Sequence, residues 1–110
     1  MGVELFQDNI PLTFYPYLQR KKVIDPDAIE DIIIECNKEL SLMYFNKNNR
    51  KNVWKLIFLL IDKIHQNVEK NSEDILKLIP KELLVNVSLS EESVVYLISR
   101  IQEGYKYANN

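Results

Sequence analysis

Four carboxylates recur at intervals of four residues in one segment of the chain, and we call them the acidic row: Asp27, Asp31, Glu35 and Glu39. On an α-helix this spacing stacks the side chains, and like charges then repel by about 0.2–0.5 kcal/mol per neighbouring pair. One interpretation is a solvated face screened by water and salt. The second is a docking surface for a basic partner protein, and the third is pairing with basic side chains at 47–55.

Two further groups of residues have spacings that could support metal binding or catalysis, and both are incomplete. Asp62 and His65 show the carboxylate-x-x-histidine spacing of di-metal helical bundles, with Glu35 as a candidate third ligand. His65 is the only histidine, so no second pair exists and we predict no metal site. Cys36 and His65 are the candidate nucleophile and base, but Cys36 falls in an apolar seam, where thiols are usually inert packing groups.

Glycine-rich cofactor motifs are absent, because the chain contains only two glycines, Gly2 and Gly104. The loops that cradle phosphates in common nucleotide-binding folds need several closely spaced glycines. We therefore predict a protein that is not an enzyme and that binds no cofactor.

A basic and aromatic segment, YFNKNNRKNVWK at 44–55, is the candidate for nucleic-acid binding. Its cations precede a predicted helix N-terminus, which attracts phosphate, and Tyr44, Phe45 and Trp54 could stack on bases. The candidate contacts are Lys47, Arg50, Lys51 and Lys55. An ordinary solvated loop with inward-facing rings is the favoured interpretation, because the chain lacks a wide basic face.

Charge and composition limit the partners and the compartment. The 110-residue chain has a net charge of −2, which argues against strong nonspecific binding to nucleic acid. Residues 1–46 carry eight acidic and four basic side chains, whereas residues 47–110 carry eight and ten, so the halves could face different partners. The longest apolar run, 56–61, is too short to cross a bilayer. We predict a soluble cytoplasmic protein without membrane contact.

A helix that begins near Asp25 and runs to about Phe45 is predicted to carry the acidic row. Asp25 followed by proline is a typical helix start. An apolar seam recurs at spacings of three and four residues: Ile29, Ile33, Cys36, Leu40 and Met43. Residues 46–52 are predicted to form a loop. A second helix from 53 to about 71 is apolar around most of its circumference, which is typical of the centre of a bundle.

The C-terminal part of the chain is predicted to contain two more helices. Ser72 is the predicted cap of the first, which ends at the next proline. The alternating residues of 84–90 (LVNVSLS) favour a short strand or an extended linker. The last helix is predicted to begin at Ser88 or Ser90, and Ser88 with Glu91 matches a capping box.

The first 24 residues are apolar and contain two prolines, which indicates an ordered arm with either a helical turn after Pro16 or an edge strand at 12–15. The fold predicted for 1–110 is a single all-α domain, a packed irregular arm (1–24) and a bundle of about four main helices (25–110), with at most one short two-stranded pairing. The predicted core residues are Ile33, Leu40, Ile57, Leu60, Leu97 and Ile101.

The function predicted from these features is a small protein-binding module, such as an inhibitor, immunity factor, adaptor or assembly factor, that uses the acidic row. The alternatives are a nucleic-acid-associated regulator that uses residues 47–55 and a structural subunit of a phage or virus assembly. Surplus apolar surface on the second helix leaves homodimer formation open. The abundance of Ile, Leu, Lys and Asn indicates an AT-rich genome, such as that of a bacterium, a phage or another mobile element, or a protozoan.

Overall fold

A computed structural model describes residues 6–7, 9–42 and 47–108, and this part of the chain is mostly helical. Two short strands, β1 (Phe6–Gln7) and β2 (Ile10–Pro11), precede the helices. The helices are α1 (Phe14–Arg20), α2 (Pro26–Leu40), α3 (Lys47–Gln66), α4 (Ser72–Leu76), α5 (Lys81–Val87) and α6 (Glu91–Ala108). The all-α bundle is confirmed, with six helices in the described residues rather than four.

The core forms around α3, which contacts α4, α5 and α6, while α6 packs between α2 and α4. Seven residues of α3 are almost fully buried: Val53, Trp54, Leu56, Ile57, Leu60, Ile61 and Ile64. They recur at spacings of three and four and spread over a wide stripe, as the nearly all-round apolar sequence predicts. Of the six predicted core residues, five are buried and Leu40 is only half-buried.

The N-terminal arm is not irregular as predicted, because it contains a β-hairpin and a helix, and the alternative edge strand at 12–15 is wrong because α1 begins at Phe14. In the hairpin, Phe6 pairs with Pro11, and the turn places Asn9 at a φ of 69°, a conformation that asparagine tolerates well. Helix α1 begins two residues before Pro16. The first turn of a helix tolerates proline, because its amide groups have no intrahelical partner.

The predicted boundaries of α2 and α3 are wrong at three points: the end of α2 and both ends of α3. Helix α2 ends at Leu40, where Ser41 adopts a left-handed φ of 52°, and the predicted extension through Met43 to Phe45 lies outside the described residues. Helix α3 already begins at Lys47, so the loop predicted over 46–52 is wrong from Lys47 onward. Adding residues to an existing helix is easier than nucleating one, so the apolar segment extends back through this polar run. Helix α3 then ends at Gln66, five residues earlier than predicted.

The strand or extended linker predicted at 84–90 is wrong over 84–87, because α5 occupies these residues. Leu84 and Val87 are buried three residues apart, so helical spacing matches the buried face better than alternation does. Ser88 ends α5 with a left-handed φ of 56° and therefore does not cap α6. The cap of α6 is Ser90, whose Oγ accepts a hydrogen bond from the amide of Ser93 at 3.1 Å.

The cap of α4 also differs from the prediction. The side chain of Asn71, rather than that of Ser72, accepts a hydrogen bond from the amide of Asp74 at 2.8 Å. Asparagine and serine are comparable caps, so residue type alone does not distinguish these neighbouring positions. None of the helices in the described residues is long and apolar enough to cross a membrane.

Candidate functional site

The acidic row does not run straight along α2, because a step of four residues advances about 40° beyond a full helical turn. The row therefore crosses the exposed face of α2 from the side of α1 to the side of α6. At the α1 end, the hydroxyl of Tyr15 lies 2.6 Å from Oδ1 of Asp27 and also contacts Glu30. A phenol has one proton, so Tyr15 donates to one of these two carboxylates at a time.

At the other end of the row, α6 supplies the partners. The guanidinium Nη2 of Arg100 donates to Oε2 of Glu35 at 2.7 Å, and the hydroxyl of Tyr96 donates to Glu39. The hydrogen bond to Glu39 is the main cause that raises the pKa of Tyr96 above its ordinary value. Three of the four carboxylates of the row are thus held by α1 or α6. The repulsion along the row is partly offset within the fold.

Asp31 is the member of the row that makes no hydrogen bond or ion pair within the described part of the chain. One helical turn after it, Ile34 is 36% exposed, and Leu12, just before α1, is 52% exposed. A recess of about 550 Å³ separates the hairpin from α2, and it is lined by Ile10, Pro11, Leu12, Tyr15, Glu30, Ile34 and Asn37. We define the α2 face as Leu12, Asp27, Glu30, Asp31 and Ile34. It combines exposed apolar groups with carboxylates.

The candidate nucleic-acid contacts Lys47, Arg50, Lys51 and Lys55 lie on the first turns of α3 rather than on a loop. The Arg50 guanidinium lies 3.8 Å from the centre of the Phe6 ring, and its Nη1 donates to Oδ1 of Asn9 at 3.4 Å. The Trp54 indole donates to the carbonyl of Asn9 at 2.7 Å. Arg50 and Trp54 therefore anchor the hairpin, and Trp54, at 1% exposure, is not free to stack on a base.

Two of the other candidate cations of that segment have exposed side chains. Lys51 and Lys55 are exposed. The side chain of Lys47, like Tyr44 and Phe45, lies outside the described residues. The exposed cations on this part of α3 do not form a broad basic surface by themselves.

The residues considered for metal binding and catalysis are not assembled into such a site. Within residues 6–7, 9–42 and 47–108, no three His, Cys, Asp or Glu side chains lie close enough together to hold a metal ion. Asp62 instead pairs with Lys21, and His65 is exposed. Burial raises the pKa of the Cys36 thiol to about 11, which keeps it protonated and weakly nucleophilic at neutral pH.

Two tyrosines, the half-buried Tyr17 of α1 and the buried Tyr105 of α6, form a pair that was not predicted from the sequence. The hydroxyl of Tyr17 donates to the carbonyl of Phe58 at 3.0 Å, and burial, followed by the charge of Asp62, raises its pKa to about 12. Tyr105 is 5% exposed, and its hydroxyl has no hydrogen-bond partner within the described part of the chain. Burial also raises the pKa of Tyr105, with a smaller contribution from Tyr17.

We expect the protein to lose stability progressively as the pH rises above about 10. The pKa values of Tyr17 and Tyr105 are higher in the folded state than in the unfolded chain, so folding strengthens proton binding. Their contribution is complete below the unfolded pKa of about 10 and is lost as the pH rises through the folded values. Urea unfolding at pH 8 and at about pH 11, with absorbance of ionised tyrosine near 295 nm, measures both effects.

The matched variant for this measurement is Tyr105→Phe. At neutral pH it should be as stable as the parent or more stable, because it removes a buried hydroxyl that lacks a partner. The double variant Tyr17→Phe with Tyr105→Phe should lose less stability between the two pH values. An equal loss in the parent and the double variant would show that other groups, such as lysines, cause the alkaline destabilisation.

No protein-family model matches the chain, and comparisons with curated proteins and with solved structures also give no match. Inferences about function therefore rest on the geometry of the residues described above.

Proposed function

We propose that the chain is a small protein-binding module, of the inhibitor, immunity, adaptor or assembly type, that recognises a basic segment of a partner through the α2 face. The supporting observation is that Asp31, which has no partner within the described residues, lies one helical turn before exposed Ile34, and that Ile34 and exposed Leu12 line the same recess. Lysine or arginine of the partner pairs with the carboxylates. An apolar side chain between these cations covers Ile34 and Leu12, and removing such surface from water contributes about 25 cal/mol per Å².

The members of the acidic row have different roles in this proposal. Asp27 and Asp31 are exposed and attract the partner, together with Glu30, which lines the recess. Glu35 and Glu39 are also exposed and add to the negative potential, but their contacts with Arg100 and Tyr96 hold α2 against α6. A basic partner relieves the remaining repulsion along the row, and the charge accelerates the encounter.

The change Asp31→Asn tests the role of charge. We expect the variant to associate with the partner about two- to fivefold more slowly at low ionic strength, and the difference should shrink as salt screens the charge. Its free energy of unfolding should change by less than about 0.5 kcal/mol, since Asp31 is exposed and has no partner in the part of the chain that the structure describes. Interferometry with the purified partner measures the rates, and Glu82→Gln, an exposed carboxylate on α5, is the control.

The partner is to be identified with a photoreactive amino acid at position 34, and position 68 serves as the control because Val68 is 58% exposed on another part of the surface. The proposal requires a cross-link that forms at 34 and not at 68. If the same protein is captured at both positions, or if Asp31→Asn and Glu82→Gln have the same association rate, the α2 face is ordinary solvated surface.

A further inference from the structure

A second recess is lined by residues of α4, of α5 with the segment before it, and of the first turns of α6. Its volume is about 600 Å³, and its apolar lining consists of Leu76, Ile79, Leu84 and Val95. A smaller recess of about 360 Å³ shares Leu84 and adds Val85 and Leu89. Val85 is 75% exposed. We call the two recesses together the α4–α6 groove.

The groove exists because two short helices lie where one long helix would cover α6. Helix α4 has five residues and α5 has seven, and they are separated by residues 77–80, the last of which is Pro80. Proline cannot continue a helix from the preceding turn, so the chain changes direction there. The flank of α6 that carries Val95 is left only partly covered.

Charges of both signs flank the apolar lining. Lys77 and Lys81 come from the α4–α5 side, and Glu91 and Glu92 come from α6, with Glu73 at the start of α4. Within the described residues, Lys77 pairs with Asp74 at 3.6 Å, whereas Lys81, Glu91 and Glu92 form no ion pair. The lysines and the α6 carboxylates therefore border the same apolar surface without neutralising each other.

We propose that the α4–α6 groove binds an amphipathic helix of a partner protein. Apolar side chains of that helix contact the lining, its basic flank contacts Glu91 and Glu92, and its acidic flank contacts Lys77 and Lys81. Helices that lie in apolar grooves are a recurrent mode of recognition. A ligand whose charges all have one sign would be repelled by the groove side chains of that same sign. The groove shares no residue with the α2 face, so the two proposals stand independently.

The probe is a synthetic helical peptide with leucines along one face, lysines on one flank and glutamates on the other. One comparison peptide carries lysine on both flanks, and the other carries glutamate on both flanks. A peptide with the two flanks exchanged would not be a useful control, because it could bind in the opposite direction and make the same contacts. A fourth peptide has serine in place of leucine. Binding to the full chain is measured by fluorescence anisotropy, and backbone amide NMR shifts locate the contact.

The mixed-charge peptide is expected to bind at least about fivefold more tightly than either single-charge peptide at low salt, and the serine peptide about tenfold or more weakly than the mixed one. The NMR shifts should centre on Leu76, Val85 and Val95 and should spare Ile34. Leu76, Val85 and Val95 lie in different parts of the groove, whereas Ile34 lies outside it.

Two charge variants of the chain make the test reciprocal. Glu91→Lys with Glu92→Lys makes both sides basic and should shift the preference to the all-glutamate peptide. Lys77→Glu with Lys81→Glu makes both sides acidic and should shift it to the all-lysine peptide. Circular dichroism shows whether each variant is folded. One folded variant is sufficient to test the proposal. If preference does not change in a folded variant, if the shifts centre on α2, or if the mixed peptide shows no saturable binding up to about 1 mM, the proposal is wrong.

Discussion

Replacement of Trp54 with alanine is expected to lower the free energy of unfolding by about 3–5 kcal/mol and to loosen the hairpin from α3. Trp54 is 1% exposed, and its ring packs edge-on against Phe14 with 5.1 Å between ring centres. Its indole also donates to the carbonyl of Asn9 at 2.7 Å. The variant therefore loses core packing and the hydrogen bond that joins the turn of the hairpin to α3.

Urea unfolding followed by circular dichroism measures this cost, since the variant has no tryptophan fluorescence. Trp54→Phe retains most of the ring contacts and removes the hydrogen bond, so it should cost less than Trp54→Ala but should still accelerate amide exchange in the hairpin. Lys55→Ala, at the next and exposed position, should change stability by less than about 0.5 kcal/mol. A cost below about 1 kcal/mol for Trp54→Ala would contradict the anchoring role.

Replacement of Leu60 with alanine should cost about 2–5 kcal/mol, because the side chain is fully buried on α3 at the centre of the bundle. The loss combines the transfer energy of the removed methyl groups with the energy of the cavity that remains. Chemical denaturation gives the difference, and the slope against denaturant should stay unchanged if the variant keeps the same compact fold.

Leu12→Ala is the matched control for Leu60, since the same atoms are removed from a side chain that is 52% exposed. We expect it to cost less than about 1 kcal/mol, in line with partial burial. A result in which both leucine variants cost about the same would mean that the core is misplaced.

Local patterns were sufficient to predict the helical class and the beginning of the helix that carries the acidic row. Asp25 caps α2 as expected, with its Oδ1 accepting a hydrogen bond from the amide of Ala28 at 3.2 Å. Buried positions such as Ile33, Ile57 and Ile101 also follow from helical spacing. These features depend on residues within a few positions of one another, so a single segment contains the information.

The wrong secondary-structure predictions lie in segments whose local sequence fits two different structures. The residues of 84–90 alternate like a strand, but residues 81–87 also present apolar groups at helical spacing, and contact with α3 selects the helix. The polar run at 47–52 resembles a loop, but it is continuous with the apolar residues of α3 and extends that helix toward its N-terminus. Packing against other segments decides such cases, because the local preferences differ by little.

For the acidic row, the sequence by itself determined the spacing of the carboxylates and the helix that carries them. Only the tertiary structure decided which of them are satisfied. Asp27, Glu35 and Glu39 find partners 12, 65 and 57 positions away in the chain, at Tyr15, Arg100 and Tyr96. Helices α1 and α6 must pack on opposite sides of α2 before these hydrogen bonds can form. Asp31 projects between the two flanking helices, so packing brings it no partner within the described residues.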